Sequence, residues 1–218
     1  MEQLMNLSDL RYGNLNKENE KYLDKENLFT QQFNKYSQFQ YPNTNDTQKE
    51  INDIMKTQKH FEKKENWEKY KKFMLLCDSD IHKVFERALK KIGVKYDGDL
   101  LENIQEELGA LVMRLKDFYN RPRPFQVAYY TEQPLHNYNT ISGNSPAFPS
   151  GHACQSYFLM KVMAKKNPHK EKKLERLANR IANTRVVLGV HYPSDNEFGK
   201  KIAGRLAATP QIQERFFV

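Results

Sequence analysis

Long apolar runs are absent from this 218-residue sequence, whose mean hydropathy is −0.85. Its most apolar stretches, at residues 73–77 and 186–190, are far shorter than the roughly 18 residues that a bilayer-spanning helix needs. We therefore exclude a membrane span. The length and the hydrophobic content of 39% lie within the range of one folded domain.

Cysteine is nearly absent as well. The two cysteines, Cys77 and Cys154, are too few for a disulfide framework and are typical of a reducing compartment. Residues 1–20 mix Asn, Glu and Lys with single apolar residues, without the basic start and apolar core of a secretory signal. We therefore expect a soluble, cytoplasmic protein.

The sequence has little net charge for its number of ionisable groups, since 35 Lys and Arg against 27 Asp and Glu leave +8. This excess predicts a surface that attracts anions, whether phosphate esters, nucleic acid or anionic lipid. A non-enzymatic nucleic-acid-binding protein is therefore one hypothesis. The sequence has no zinc-ligand spacing, no basic region leading into heptads and no sheet motif of aromatic and basic residues, so we expect no specific nucleic-acid site.

The composition of the chain changes near residue 47. Residues 1–47 are polar and end in a cluster of turn formers, which indicates an N-terminal arm or short peripheral helices. Residues 48–218 show helical periodicity and no alternating strand pattern. The sequence therefore predicts an all-α fold, with residues 48–218 as a single helical domain.

Four apolar stripes at spacings of three and four residues predict helices that face a common core. They are Ile81, Val84, Phe85, Ala88, Leu89 and Ile92; Ile104, Leu108, Leu111, Val112, Leu115 and Phe118; Leu174, Leu177, Ala178 and Ile181; and Phe198, Ile202 and Leu206. Residues 153–163 are apolar nearly all round, which predicts a helix in the middle of the bundle. Residues 121–149 contain five prolines and form a connection far longer than the usual length of about four to six residues, so we expect this loop to be functional.

The end of this loop, Pro149-Ser150-Gly151-His152, is the first candidate site. Ser150 is a predicted N-cap, and Gly151 would let a ligand approach the backbone. A helix N-terminus attracts anions, and His152 beside a bound anion could give or take a proton. The alternative is an ordinary capped helix.

The second candidate site combines Thr184-Arg185 with His191 and Asp195. Arg185 continues an apolar stripe, so its guanidinium points inward, where it needs an anionic partner. Asp195 heads the inward face of the last helix, which we expect Ser194 to open through a capping box, and it could fix the tautomer of His191. The alternative is a buried Arg-Asp pair beside a hydrogen-bonded histidine.

The third candidate site lies where a predicted helix ends and the long loop begins. Lys116 lies at the apolar edge of the helix, and Pro122 and Pro124 hold Arg123 in a stiff, extended segment. The alternative is a basic helix end that only complements the helix dipole.

Together these segments resemble the three-part signature of a superfamily that contains type 2 phosphatidic acid phosphatases, class A acid phosphatases and vanadium haloperoxidases. The signature reads Lys116, six residues, Arg123-Pro124; Pro149-Ser150-Gly151-His152; and Thr184-Arg185, five residues, His191, three residues, Asp195. Thr184 replaces the usual serine of the family, and Asn196-Glu197 replaces residues that are often apolar. The resemblance covers residues 116–204 and implies a helical bundle of the acid phosphatase and vanadium haloperoxidase type.

The resemblance implies phosphoryl transfer through a covalent histidine intermediate. His191 would be the nucleophile, Asp195 would orient it, and His152 would protonate the leaving oxygen. No metal or other cofactor would be required, because cations stabilise the transferred group. The residues that would hold the phosphate oxygens are Lys116, Arg123, Ser150, Gly151 and Arg185.

We therefore expect a metal-independent phosphatase that hydrolyses small, soluble phosphomonoesters. The alternative is a vanadate-dependent haloperoxidase, in which vanadate would be a cofactor at His191 instead of an inhibitor, but those enzymes are generally much larger. A lipid substrate is disfavoured because the lipid branch places its motifs between membrane spans. The sequence makes no prediction of the oligomeric state.

Other potential functional residues have simpler interpretations. Asp78 and Asp80 resemble the Asp-x-Asp of aspartyl-phosphate phosphatases, but we interpret one of them as the N-cap of the helix at residue 81. Neither cysteine has the arginine six residues later that a cysteine phosphatase loop requires. We expect the remaining histidines to be surface or loop residues and the loop tyrosines to serve packing; these are His60, His82, His136 and His169, and Tyr129, Tyr130 and Tyr138.

Overall fold

The computed structural model describes residues 7–138 and 140–217. Within these ranges the chain forms helices and no strand, so the predicted all-α fold class is confirmed. The α-helices are α1 (Lys17–Glu20), α2 (Phe33–Tyr36), α3 (Thr44–Glu62), α4 (Trp67–Ser79), α5 (Ile81–Ile92), α6 (Gly98–Tyr119), α7 (Pro124–Tyr130), α8 (Gly151–Lys166), α9 (Glu171–Val187), α10 (Pro193–Leu206) and α11 (Pro210–Phe216). Short 3-10 segments lie at Leu7–Asp9, Thr30–Gln32 and Pro168–Lys170. None of these helices combines the length and the apolar character that a bilayer crossing requires.

Side-chain caps explain where several helices begin. Asn43, Asp80, Asp97 and Ser150 each accept a hydrogen bond from a backbone N–H in the first turn that follows. Asp80 thus takes the capping role that the sequence left open between Asp78 and Asp80. Helix α5 ends at Gly93, whose positive φ of 70° suits glycine.

Helix α8 is the centre of the bundle. It packs most extensively against α9 and α10, and α6 covers a further side. Residues on all sides of α8 are buried, as the pattern at residues 153–163 predicts. Burial on all sides positions the first turn of α8 firmly, and the candidate site lies at that turn.

The predicted stripes face this core, with one exception. Phe118 is 56% exposed, although its spacing assigns it to the stripe of α6. In the last turns of α6 the buried side runs through Val112, Leu115, Lys116 and Tyr119, so the inward direction lies away from Phe118. Lys116 therefore lies deeper in the protein than its predicted place at the apolar edge.

The segment before α3 contributes to the same core. Phe29 is fully buried, and its ring lies 5.3 Å from the ring centroids of Phe158 and Phe216. Tyr119 donates a hydrogen bond of 2.5 Å to the carbonyl of Tyr36. The first six residues of the predicted arm lie outside the described residues, and the predicted division at residue 47, which falls inside α3, stays a prediction.

The start of α10 differs from the sequence prediction. The helix begins at Pro193, and Asp195 Oδ2 accepts from the backbone N–H of Tyr192 at 2.9 Å. Ser194 does not cap this helix, because its hydroxyl lies 2.8 Å from both Glu50 Oε2 and Arg121 Nη1. The predicted Ser194 capping box is therefore wrong, because a buried polar network binds the serine.

Gly199 lets α10 approach the start of α8 closely. A Cβ atom at this position would lie 2.8 Å from the carbonyl oxygen of Ser150 and 3.0 Å from the backbone nitrogen of Cys154. Both neighbours are backbone atoms of α8, so they cannot rotate away. Gly204, on the same helix, would meet only Lys161 Cε at 4.0 Å.

We predict that Gly199→Ala lowers the free energy of unfolding by about 1–3 kcal/mol, because the added methyl group forces α8 and α10 apart. Gly204→Ala is the matched control and should be neutral or stabilising by up to about 1 kcal/mol, because alanine favours the helix. Urea denaturation of both variants checks this prediction. Equal effects of the two substitutions would contradict the close packing at Gly199.

Candidate active site

The three predicted segments surround one cavity of about 610 Å³. Residues of the predicted site that line it are Lys116, Arg123, Gly151, His152 and His191. Ser150, Arg185 and Asp195 lie directly behind this lining. The structure thus brings together residues from the end of α6, the long loop, the start of α8 and the turn between α9 and α10.

His191 lies in the turn that connects α9 to α10 and is almost fully buried. Its Nδ1 atom is 3.1 Å from Asp195 Oδ2. Asp195 is four residues later, in the first turn of α10, where its carboxylate also accepts the N–H of Tyr192. The carboxylate therefore orients the imidazole ring and is itself held by the backbone.

Hydrogen bonding fixes the tautomer of His191. Arg123 Nη1 lies 3.0 Å from His191 Nε2, and because a guanidinium can only donate, Nε2 must hold a lone pair. The ring proton is then on Nδ1, facing Asp195. Burial, together with Arg123 and Lys116, lowers the pKa of His191 well below its usual range. His191 is thus a neutral imidazole with its unprotonated nitrogen at the cavity.

Arg123 and Lys116 are buried cations whose hydrogen-bond partners are neutral. Arg123 donates to the carbonyl oxygens of Ser145 and Val190, each at 2.6 Å. Lys116 Nζ donates to the carbonyl oxygen of Pro146. Among the described residues, neither cation forms a salt bridge with a carboxylate. Burial and neighbouring positive charge lower the pKa of Arg123 to about 10 and lower that of Lys116 well below its usual value.

Arg185 is fully buried and points inward, as its place in the apolar stripe predicts. Its carboxylate partner is Asp78, in the last turn of α4, at 2.9 Å, and its Nη2 atom lies 2.5 Å from Ser142 Oγ. The alternative of an Arg185–Asp195 pair is therefore wrong. Burial raises the pKa of Asp78, but Arg185 and the hydrogen bonds from Ser142 and Ile141 outweigh it, and the net shift is downward.

His152 occupies the first turn of α8 at the cavity wall. Its Nε2 atom is 3.1 Å from the carbonyl oxygen of Cys77, so Nε2 carries the proton in the neutral ring. Burial and the positive charge of Arg185 lower the pKa of His152 to about 3. In this arrangement the ring is neutral and its lone pair is on Nδ1.

Ser150 and Gly151 connect these groups at the start of α8. Ser150 Oγ caps the helix by accepting from Ala153 N at 3.3 Å, and Ser150 N donates to the carbonyl oxygen of Asp195 at 3.1 Å. Gly151 lines the cavity with backbone. The start of α8 is therefore bonded to the start of α10, which couples the positions of His152 and His191.

Arg121 is an important residue to which the sequence analysis gives no role. It donates to Asp195 Oδ1 at 2.6 Å and to Glu50 Oε2 at 2.9 Å, and its guanidinium carbon lies 3.8 Å from the ring centroid of Tyr192. Burial raises the pKa of Asp195 to about 6, and Arg121 opposes this shift. The alternation Arg121-Pro122-Arg123-Pro124 is a signal that both arginines are held rigidly.

The sequence also did not predict four further residues of the site, which are Glu50, Asp78, Ser142 and Ser145. Glu50 and Asp78 come from α3 and α4, outside the three motifs, and only the fold brings them to their arginines. The two serines lie within the long loop, whose composition indicates function but does not single them out. No local spacing in the sequence identifies these partners.

His82 also differs from its prediction as a surface or loop residue. It lies on α5, is only partly exposed and lines the same cavity. Tyr129, Tyr130 and Tyr138 do not line this cavity; Tyr138 is buried and donates to Glu62 at 2.9 Å. Across residues 7–138 and 140–217, no three His, Cys, Asp or Glu side chains cluster in a way that could hold a metal ion.

Comparison with known proteins agrees with the resemblance in the motifs. Over 103 residues the chain is 28% identical to a non-specific acid phosphatase of Salmonella typhimurium, covering 45% of this chain and 41% of that protein. Over 121 residues it is 28% identical to a non-specific acid phosphatase of Providencia stuartii, covering 53% and 48%. The chain thus spans less than half the length of these relatives.

A family model described as the PAP2 superfamily matches residues 107–215, which is half of the chain. The matched segment contains all three motifs and every residue of the predicted site. The chain therefore belongs to the PAP2 superfamily.

Proposed function

We propose that this protein is a phosphatase that hydrolyses soluble phosphate monoesters through a phosphohistidine at His191, without a metal ion. One observation carries the proposal: Lys116 and Arg123 are buried cations with neutral partners at the cavity wall, and Arg123 contacts the unprotonated nitrogen of His191. The relatives named as non-specific acid phosphatases support the same class of reaction.

Charge balance explains why the ligand would be a phosphate ester. A buried charge is costly unless an opposite charge accompanies it. The carboxylates of Asp195 and Asp78 are already paired with Arg121 and Arg185. A phosphate monoester carries about two negative charges near neutral pH, which would balance Lys116 and Arg123. Vanadate, also a tetrahedral oxyanion, would fit the same cations and act as an inhibitor.

In the first step, Arg123 Nη1 transfers its hydrogen bond from His191 Nε2 to a phosphate oxygen, and the freed lone pair of Nε2 attacks phosphorus in line with the leaving oxygen. The N–P bond forms as the P–O bond breaks, and the imidazole becomes cationic. The hydrogen bond from Nδ1–H to Asp195 stabilises this positive charge. Protonated His152 gives its Nδ1 proton to the leaving oxygen, so the product departs as an alcohol. Buried cations stabilise the equatorial oxygens.

In the second step, water replaces the leaving group. His152, now neutral, takes a proton from the water while the oxygen attacks phosphorus and the N–P bond breaks. Inorganic phosphate leaves, His191 is neutral again, and His152 is again protonated. The two histidines thus hold opposite protonation states throughout the cycle.

Binding of the substrate would raise the pKa of His152 and so allow it to be protonated. Without an anion, burial and Arg185 hold the pKa of His152 at about 3, so the ring is neutral near pH 7. A bound dianion adds negative charge beside the ring and raises its pKa. The bond from Nε2–H to Cys77 persists in the cationic form, so Nδ1 is the nitrogen that gains and loses the proton.

We predict that the protein hydrolyses para-nitrophenyl phosphate in excess chelator and that vanadate inhibits the reaction. His191→Ala should abolish the activity, because it removes the nucleophile. His60→Ala, which changes an exposed histidine, is the matched control and should retain at least half of the wild-type kcat. Steady-state absorbance assays provide the measurement.

Two outcomes would contradict this prediction. Loss of activity in chelator would point to a bound metal ion as a participant in hydrolysis. Oxidation of bromide by peroxide as the dominant activity of vanadate-loaded protein would favour the haloperoxidase alternative.

We further predict that the effect of His152→Asn depends on the leaving group. An alkyl alcohol needs a proton as it leaves, so kcat/KM for glycerol phosphate, which reports the steps up to release of the leaving group, should fall by about 10²- to 10⁴-fold. The para-nitrophenolate group leaves without a proton, so kcat/KM for its ester should fall by a much smaller factor. Equal losses of kcat/KM for the two substrates would exclude His152 as the general acid.

A further inference from the structure

Part of the cavity wall is built by residues that precede the family match. The lining residues before residue 107 are Asn19, Lys21, Tyr22, His82, Glu102, Gln105 and Glu106. These side chains come from the N-terminal segment, which is residues 7–43 before α3, from α5 and from the first half of α6. They surround the space into which the organic part of a phosphate ester at His191 would extend.

The N-terminal segment is attached to the site by specific hydrogen bonds. Asn19 Nδ2 donates to the carbonyl of Asn144 at 3.1 Å, and the next residue, Ser145, holds Arg123. Gly13 and Asn120 exchange two hydrogen bonds, of 3.0 Å and 2.9 Å. The segment is therefore a fixed wall of the cavity.

Tyr22 presents an aromatic ring at this wall. Its Cε1 atom would lie 3.8 Å from a Cβ atom on Gly109, so the ring packs against the glycine of α6. The ammonium groups of Lys21 and Lys25 lie 5.3 Å and 5.0 Å from the ring centroid, within cation–π range. Lys25 is also bound to Glu106 at 2.5 Å. These contacts hold the ring in place beside the cavity.

Another part of the wall is polar and hydrogen-bonded. His82 is fixed between Tyr96 Oη at 2.8 Å and Gln105 Oε1 at 2.7 Å. Gln155 Nε2 donates to the carbonyl of Gln105 at 3.1 Å. A long apolar chain against this wall would remove these polar groups from water, which disfavours such a leaving group.

We propose that Tyr22 binds the leaving group of the substrate and favours a leaving group with a planar ring. The proposal rests on the phosphatase function, since a leaving group exists only if the cations hold a phosphate ester. A cavity of about 610 Å³ lies within the range of small-ligand sites, so it has room for such a ring beside the phosphate. Tyr22 contributes an aromatic contact with that ring, whether edge-to-face or offset-stacked.

The test compares substrates in Tyr22→Ala. KM for phenyl phosphate should rise by between about twofold and tenfold, because the aromatic contact is lost. KM for glycerol phosphate and the inhibition constant of inorganic phosphate should stay within twofold, since neither has a ring. Tyr22→Phe should retain the wild-type KM, whereas Tyr22→Leu should resemble the alanine variant. Tyr129→Ala removes a tyrosine that is 81% exposed outside the cavity and is the matched control.

Three outcomes would overturn the proposal. An unchanged KM for phenyl phosphate would show that the ring does not contact the leaving group. An equal rise in KM for both substrates and in the inhibition constant of inorganic phosphate would show that Tyr22 acts only through the phosphate site. If wild-type protein hydrolyses no phosphate ester, the proposed function fails and this proposal fails with it; hydrolysis with an unchanged KM is a failure of this proposal alone.

Discussion

Two buried cations without carboxylate partners are the constraint on which this site depends. Lys116 and Arg123 donate to carbonyl oxygens, and both lie close enough to His191 to lower its pKa. The nearby carboxylates are paired elsewhere, Asp195 with Arg121 and Asp78 with Arg185. This division leaves positive charge at the cavity and a neutral imidazole beside it. A tetrahedral anion would balance such a site, and the proposed phosphatase function assigns a phosphate ester to it.

The fold holds this unfavourable arrangement together by close packing. Helix α8 is buried on all sides, and Gly199 brings α10 against its first turn, so His152 and the His191–Asp195 pair keep their positions. Arg121 ties Asp195 to Glu50 of α3, which connects the family motifs to the preceding part of the chain. The N-terminal segment contributes Asn19, Lys21 and Tyr22 to the wall of the cavity. Under the two proposals above, residues outside the motifs would determine specificity and residues within them would determine reactivity.

Apolar periodicity predicted the helical fold, and the resemblance of the three segments to the superfamily signature predicted that their residues converge. Arg185 shows what a local signal adds, since a cation in an apolar stripe requires a buried partner. That partner, Asp78, was not predictable, because only tertiary packing brings α4 to α9. Ser194 and Phe118 show the same limit. A local pattern assigned Ser194 to a helix cap, but a buried network around Glu50 binds its hydroxyl. Another assigned Phe118 to the core, but the buried side of the last turns of α6 faces away from it.

The central claim is that Lys116 lacks a negative partner until an anion binds, and the most direct test is the stability of Lys116→Met with and without inorganic phosphate. At a phosphate concentration of one hundred times Kd, the wild-type free energy of unfolding should rise by about 2.7 kcal/mol. The variant should be at least as stable as wild type without phosphate, because it removes an unpaired buried charge, and should lose most of the phosphate effect. Lys173→Met, at an exposed position, should behave as wild type. A variant that is destabilised without phosphate but keeps the full phosphate effect would contradict the claim.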